Sequence, residues 1–146
     1  MSYPILITLH LFCAVTFIGV VFFEVLILES VRKNIPNDIM PLLQQGITSR
    51  ARQLMPYVMA FLFLSGFGMA HSHFPHFSGL MSSSFGQLLT VKMLLALSVL
   101  MHFFTAMHLS RNLKMSCNHF KFIHLSVFCH QILIVFLAKN MFYITW

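Results

Sequence analysis

Four long apolar segments, separated by short polar connections, fill almost the whole of this 146-residue chain. Hydrophobic residues make up 58% of the sequence and charged residues only 8%, against about a quarter in soluble domains. So few charges cannot cover a water-exposed surface, and the composition therefore predicts an integral membrane protein. At about 20 apolar residues per span, the chain has room for four helices and for no separate soluble domain.

Turn-forming residues divide the chain into four predicted helices, at about residues 4–30, 53–71, 85–113 and 118–139. Pro36, Asn37, Asp38 and Pro41 predict a polar connection after the first helix, with residues 39–43 at the membrane surface. Pro56 is expected in the first turn of the second helix, where proline is tolerated. Short connections favour an all-α, up-down-up-down four-helix bundle that forms one domain over residues 1–146. No repeat unit is expected, although the third and fourth helices each carry two histidines six residues apart.

The basic residues indicate how the helices cross the membrane. Seven of the nine Lys and Arg residues fall in two short loops: Arg32, Lys33, Arg50 and Arg52 in one, and Arg111, Lys114 and Lys121 in the other. By the positive-inside rule both loops are cytoplasmic, and both termini lie on the outer, periplasmic side of a bacterial inner membrane. The first apolar run lacks a basic leader and a cleavage site, so we expect a retained helix. The basic residues are too few to predict nucleic-acid binding.

Histidines give the most specific indication of function. Six of the nine lie inside, or at the end of, apolar segments: His10, His71, His102, His108, His124 and His130. Ionisable residues within a membrane are costly and normally serve a function there. Imidazole between helices is above all a metal or haem ligand. The alternative for each single histidine is a hydrogen bond to a neighbouring carbonyl, or a position at the interface.

Helix rise allows the histidines to be compared in depth. His10 and His71 fall near the outer end of their helices, and His108 and His124 near the inner end. These two layers predict two haem b groups with bis-histidine ligation, which together form an electron path across the membrane. His102 and His130 lie closer to mid-membrane and are the substitute ligands. Six residues turn a helix through about 600°, so His102 and His108 point in different directions, as do His124 and His130.

Two charged residues within the apolar segments are further candidates. Glu24 shares a helical stripe with His10 and Phe17, where a carboxylate could move protons for a quinone. Lys92, seven residues into the third helix, is expected to pair with a haem propionate or a substrate carboxylate. Contact with lipid headgroups is the alternative for both.

The connection after the second helix carries a different set of metal ligands. His71, His73 and His76, with Met69 and Met81 nearby, are ligands suited to copper. A copper-binding or copper-transporting membrane protein is therefore an alternative function. Incidental loop histidines are the other reading of this segment.

Motifs in all four helices resemble the four-helix superfamily of membrane protoporphyrinogen IX oxidases and copper-resistance D-like domains. They are His10 followed seven residues later by an aromatic, Met55-Pro56 followed by Gly66, Gly86 and Lys92 followed by His102, and Lys139 followed by Phe142. The oxidases have tryptophan where Phe17 stands and Leu-Pro-Arg where this chain has Glu24-Val-Leu. The resemblance implies a four-helix membrane fold that binds a porphyrin, with His10 and Lys92 in contact with it. The histidines of the last two helices are similar to those of membrane b-type cytochromes.

Together these patterns predict an inner-membrane b-type cytochrome. Its expected role is oxidoreductase chemistry, the transfer of electrons between the quinone pool and a redox partner protein. Oxidation of protoporphyrinogen IX in haem biosynthesis is the enzymatic alternative. Four helices form a thin wall around two haems, which favours a homodimer. Gly66 and Gly68 either allow close helix approach or make room for a macrocycle.

Overall fold

The computed structural model describes residues 3–36, 38–73, 81–111 and 117–144, and these residues form helices joined by turns, with no strand. The predicted all-α class is confirmed, as are the four helices long and apolar enough to cross a membrane. Helices suit this chain because every backbone hydrogen bond is made within the segment, and the interior of a bilayer offers no water as a substitute partner.

The first helix, α1, runs over Tyr3–Arg32 and is not uniform. An α-helical part, Tyr3–Phe22, continues through a π-helical turn at Phe23–Leu28 and ends in an α-helical turn at Glu29–Arg32. Its buried side chains form one stripe: Cys13, Phe17, Val21, Glu24 and Leu28. The predicted stripe of His10, Phe17 and Glu24 is thus the buried side of α1, with His10 half-buried in its N-terminal part.

The second helix, α2, covers Met40–His73 and begins well before residue 53, the predicted start. Pro41 stands in its first turn, where a fixed φ and a missing N–H fit the helix, so this proline starts the helix and does not break it. Pro56 consequently lies inside α2 and not in its first turn. The predicted surface segment 39–43 is partly absorbed into this helix, and Asn37 lies outside the described residues.

The last two helices have nearly the predicted bounds: α3 is Ser84–Arg111 and α4 is Cys117–Asn140. The hydroxyl of Ser83 accepts a hydrogen bond from the backbone N–H of Gly86 at 3.1 Å and so caps the start of α3. Lys114 falls outside the part of the chain that the structure describes.

Contacts divide the chain into two compact units, Met1–Phe67 and Gly68–Trp146. The first unit contains α1 and most of α2. The second contains the end of α2 and the pair α3 and α4, which pack against each other. The prediction of a single domain stays a prediction.

Candidate functional site: three anchored histidines

His10 is held in place by the facing turn of α2. Its Nδ1 atom lies 3.0 Å from the carbonyl oxygen of Leu62 and 3.2 Å from the hydroxyl of Ser65. Since a carbonyl can only accept, Nδ1 carries the hydrogen, and Nε2 is the ring nitrogen with the lone pair. The Ser65 hydroxyl, almost fully buried, donates to Phe61 O at 2.6 Å and is therefore fixed as well.

Gly66 provides the space for this imidazole. A Cβ atom at residue 66 would lie 3.1 Å from Cε1 and 3.4 Å from Nδ1 of His10. The imidazole of His10 fills the space over Gly66. The two predicted uses of this glycine, close approach between helices and room for a macrocycle, stay predictions.

His102 and His130 lie together between α3 and α4, with ring centroids 5.4 Å apart. Each Nδ1 donates to a carbonyl four residues earlier on its own helix, His102 to Ser98 and His130 to Ser126, both at 2.8 Å. Each Nε2 in turn accepts from a serine hydroxyl of the other helix, His102 from Ser126 at 3.0 Å and His130 from Ser98 at 3.1 Å. We call these four residues the Ser–His quartet.

A sequence repeat underlies the quartet. The segment Leu-Ser-Val-Leu-Met-His ends at His102, and Leu-Ser-Val-Phe-Cys-His ends at His130. Ser98 faces His130, and His102 faces Ser126. The two segments therefore run in opposite directions along the contact. The histidine spacing gave no convincing repeat unit, and this match extends over six residues of each helix. A search for matching six-residue segments, rather than for histidine spacing alone, would have found it.

His108 and His124 fall on differently exposed surfaces of their helices. On α3, His108 is exposed and continues the exposed row of Leu97, Met101 and Phe104. On α4, His124 is half-buried and precedes the buried Val127 and Gln131 by three and seven residues. The register of the quartet sets the two histidines one turn apart in depth, about 6 Å. Their pairing as ligands of an inner haem stays a prediction.

The predicted outer ligands lie at the end of α2. His71 and His73 are exposed, and both belong to the second unit, whereas His10 belongs to the first. The Nδ1 atom of His73 donates to Met69 O at 3.1 Å, and its ring stacks on Phe85 with centroids 5.8 Å apart. Met81 is exposed, and His76 lies outside the described residues. Within the described residues no three His, Cys, Asp or Glu side chains group to hold a metal ion.

Glu24 and Lys92 occupy different environments. Glu24 is 7% exposed and lies in the π-helical turn of α1. Such turns are rare in proteins as a whole, but where they occur they are frequently at functional sites. No feature of the sequence predicted this one. Lys92 is half-buried in the N-terminal half of α3.

Gln131 is a polar residue that the sequence analysis did not single out. Its side chain is 5% exposed, and neither Nε2 nor Oε1 has a hydrogen-bond partner among the described residues. A buried amide without partners is costly in an apolar surrounding. Gln131 follows His130 directly in the chain. The sequence analysis missed it because a single glutamine in an apolar helix does not by itself indicate a functional residue.

Comparisons with protein-family models, with curated proteins and with solved structures find no match for this chain.

Proposed function

We propose that this chain is a membrane haem protein of the b-cytochrome type that transfers electrons between the quinone pool and a redox partner. The observation that carries the proposal is the anchoring of His10. Its Nδ1 lies 3.0 Å from Leu62 O and carries the hydrogen, so Nε2 is the ring nitrogen that would bind the iron. Histidines that bind a metal almost always donate the other ring N–H to a carbonyl or carboxylate in this way.

The donor set of the described residues fits a haem iron. His10, His102 and His130 are all held as the tautomer with hydrogen on Nδ1, and a neutral imidazole presenting Nε2 is a standard axial haem ligand. In the quartet each Nε2 accepts a serine hydroxyl, a bond that iron ligation would displace. We assign the first haem to His10, with His71 as the predicted second ligand, and keep His102 and His130 as the substitute ligands.

The further parts of the proposal follow from the sequence. His108 and His124 are proposed for an inner haem, and Lys92 for contact with a propionate. The buried carboxyl of Glu24 would hold or pass the proton that quinone chemistry requires. Haem b would supply reversible one-electron transfer, while the protein fixes its ligands and excludes water. We place the protein in the bacterial inner membrane with both termini outside, in lipid and as a homodimer.

Ligand substitution tests the assignment of His10. The full chain, produced with ample haem and purified in detergent, should show a sharp b-type α-band in its reduced-minus-oxidised spectrum. We expect His10→Ala to remove at least half of the bound haem. His73→Ala is the matched control, because that exposed histidine also donates Nδ1–H to a carbonyl of its own helix. An equal haem content in the His10→Ala and His73→Ala proteins would contradict the assignment. Wild-type protein without bound haem would favour the copper alternative.

A further inference from the structure

The α3–α4 pair has one exposed side and one buried side. Leu97 and Cys129, which directly precede two facing residues of the quartet, are exposed. Val99 and Gln131, which directly follow the same two residues, are buried. In two right-handed helices that run in opposite directions, one residue forward from the facing position turns to the same side of the pair. Val99 and Gln131 therefore lie together on the buried side.

The amide of Gln131 differs from those of other glutamines in the chain. Three of them have a polar partner each: Gln44 with Arg32, Gln53 with Arg50, and Gln87 with Met81 O. Gln131 is more than nine-tenths buried, and among the described residues neither its Nε2 nor its Oε1 has a partner. Ile123 and Val127, the buried residues before it on the same side of α4, are apolar. A buried amide without a partner costs free energy, which a bound ligand would recover.

Lys92 lies on the same side of the pair as Gln131. It precedes Val99 by seven residues, about 20° short of two full turns of α3, and it is half-buried. The register of the quartet places Gln131 level with Leu97. Lys92 and Gln131 are thus about five residues, or about 7.5 Å, apart in depth. Two long side chains can reach one small polar group between them over this distance.

No side chain of the second unit can neutralise the ammonium group of Lys92. The unit Gly68–Trp146 contains no Asp or Glu. His124, two turns before Gln131 on α4, supplies no negative charge either. A charge within a membrane span is costly, and such residues normally pair or mark the path of a substrate. A quinone carbonyl would satisfy the amide but would bring no negative charge, so the ligand that fits both groups is a carboxylate.

We propose that Lys92 and Gln131 form a carboxylate-binding site within the membrane. The ammonium of Lys92 supplies the charge, and the Nε2–H of Gln131 donates a hydrogen bond to the same carboxylate. The rest of the ligand is apolar and reaches the site from the lipid. A haem propionate and the headgroup of a fatty acid share this chemistry. The proposal rests on the proposed function only in the first case, where it adds Gln131 to the propionate contact of Lys92.

Pairs of an acid and its ester test the site. The haem-free full chain in lipid nanodiscs is titrated with ¹³C-carboxyl-labelled oleate and methyl oleate, followed by NMR of the labelled carbon. A second arm uses haem and haem dimethyl ester, followed by absorbance. We expect the acid to bind at least about tenfold more tightly than the ester in one arm, and that arm identifies the source of the carboxylate.

The two arms separate this proposal from the proposed function. A preference for oleate over its ester in protein that binds no haem would support the site and contradict the haem assignment. Haem that binds as tightly as its dimethyl ester, in protein without a preference for oleate, would overturn the site and leave the haem assignment standing. No preference for the acid in either arm overturns the proposal.

Substitutions locate the preference for the acid. Gln131→Leu and Lys92→Met should each reduce it about tenfold, because each removes a hydrogen bond to a charged group. Lys92→Arg keeps the charge and should keep the preference, and Gln131→Met is the second variant if Gln131→Leu does not fold. Gln87→Leu and Lys139→Met are the matched controls, since both side chains have a partner elsewhere in the second unit. A preference equally reduced in the controls, or unchanged in Gln131→Leu or Lys92→Met, would overturn the proposal.

Discussion

The imidazole of His10 lies directly over Gly66: its Cε1 atom is 3.1 Å from the position that a Cβ atom of residue 66 would take. The same ring is hydrogen-bonded to Leu62 O, one turn earlier on α2. The position of His10 therefore depends on one carbonyl and on the absence of one side chain.

Gly66→Ala should displace this ring. The new methyl group is too close to Cε1, and overpacking of this kind costs about 1–3 kcal/mol, more than the gain of up to about 1 kcal/mol from replacing a helical glycine with alanine. We expect a net loss of about 1 kcal/mol of stability and weaker haem binding, measured by unfolding in detergent and by absorbance.

Gly46→Ala is the matched control on the same helix. Nothing lies within 4 Å of a Cβ atom at residue 46, so this variant should be about 0.5–1 kcal/mol more stable than the wild type. Equal stability changes in the two variants would show that the ring of His10 is not confined by Gly66.

The quartet should contribute two equal interactions between α3 and α4. Double-mutant cycles with Ser126→Ala and His102→Gln, and with Ser98→Ala and His130→Gln, should each give a coupling of about 0.6 kcal/mol, the average for hydrogen bonds between membrane helices, and at most about 1.7 kcal/mol. Unfolding in lipid bicelles measures this coupling.

Thr105→Ala is the control for the quartet, since among the described residues this hydroxyl bonds only to Met101 O on its own helix. It should show no coupling to His130→Gln. Unequal couplings in the two quartet cycles would contradict the prediction of two equal interactions.

Gln131→Leu should stabilise the protein. The amide is buried without a partner in the described residues, and an apolar side chain of similar size removes a desolvation cost of about 1–3 kcal/mol. Thermal unfolding in detergent checks this. A variant less stable than the wild type would mean that the amide binds a group outside the described residues, such as a bound ligand.

The four helices were predictable because the length and composition of an apolar segment determine whether it spans a membrane. The bounds of α3 and α4 were close for the same reason. The start of α2 was missed because Pro41 was expected to break a helix. Proline breaks a helix in its interior but is favoured in its first turn. The π-helical turn at Glu24 has no known sequence signal, since it depends on packing along α1.

Individual histidines were recognised as candidates, but their partners were not predictable from depth alone. Depth placed His102 and His130 in one layer, and the structure brings them into contact. The serines that complete the quartet were missed because a serine in an apolar helix usually bonds to its own backbone. The repeated Leu-Ser-Val segment contained the missing information.

The two groups of basic residues predict the orientation of the chain. Alkaline phosphatase fused after Trp146 should be active, and a fluorescent protein fused there should be dark, because the C-terminus is expected on the outer side. Reversing the charge balance with Lys121→Glu and Arg111→Glu should reduce phosphatase activity. Inactive phosphatase on the unmodified chain would contradict the proposed topology.

Haem content of the wild-type protein tests the central claim most directly. The full chain should be produced with ample haem, purified in detergent and analysed by pyridine haemochrome together with a dithionite-reduced-minus-oxidised spectrum. The account predicts a sharp b-type α-band and haem in stoichiometric amount, one per chain for the His10 site or two if the inner site is also filled. Folded protein with no bound haem would contradict it.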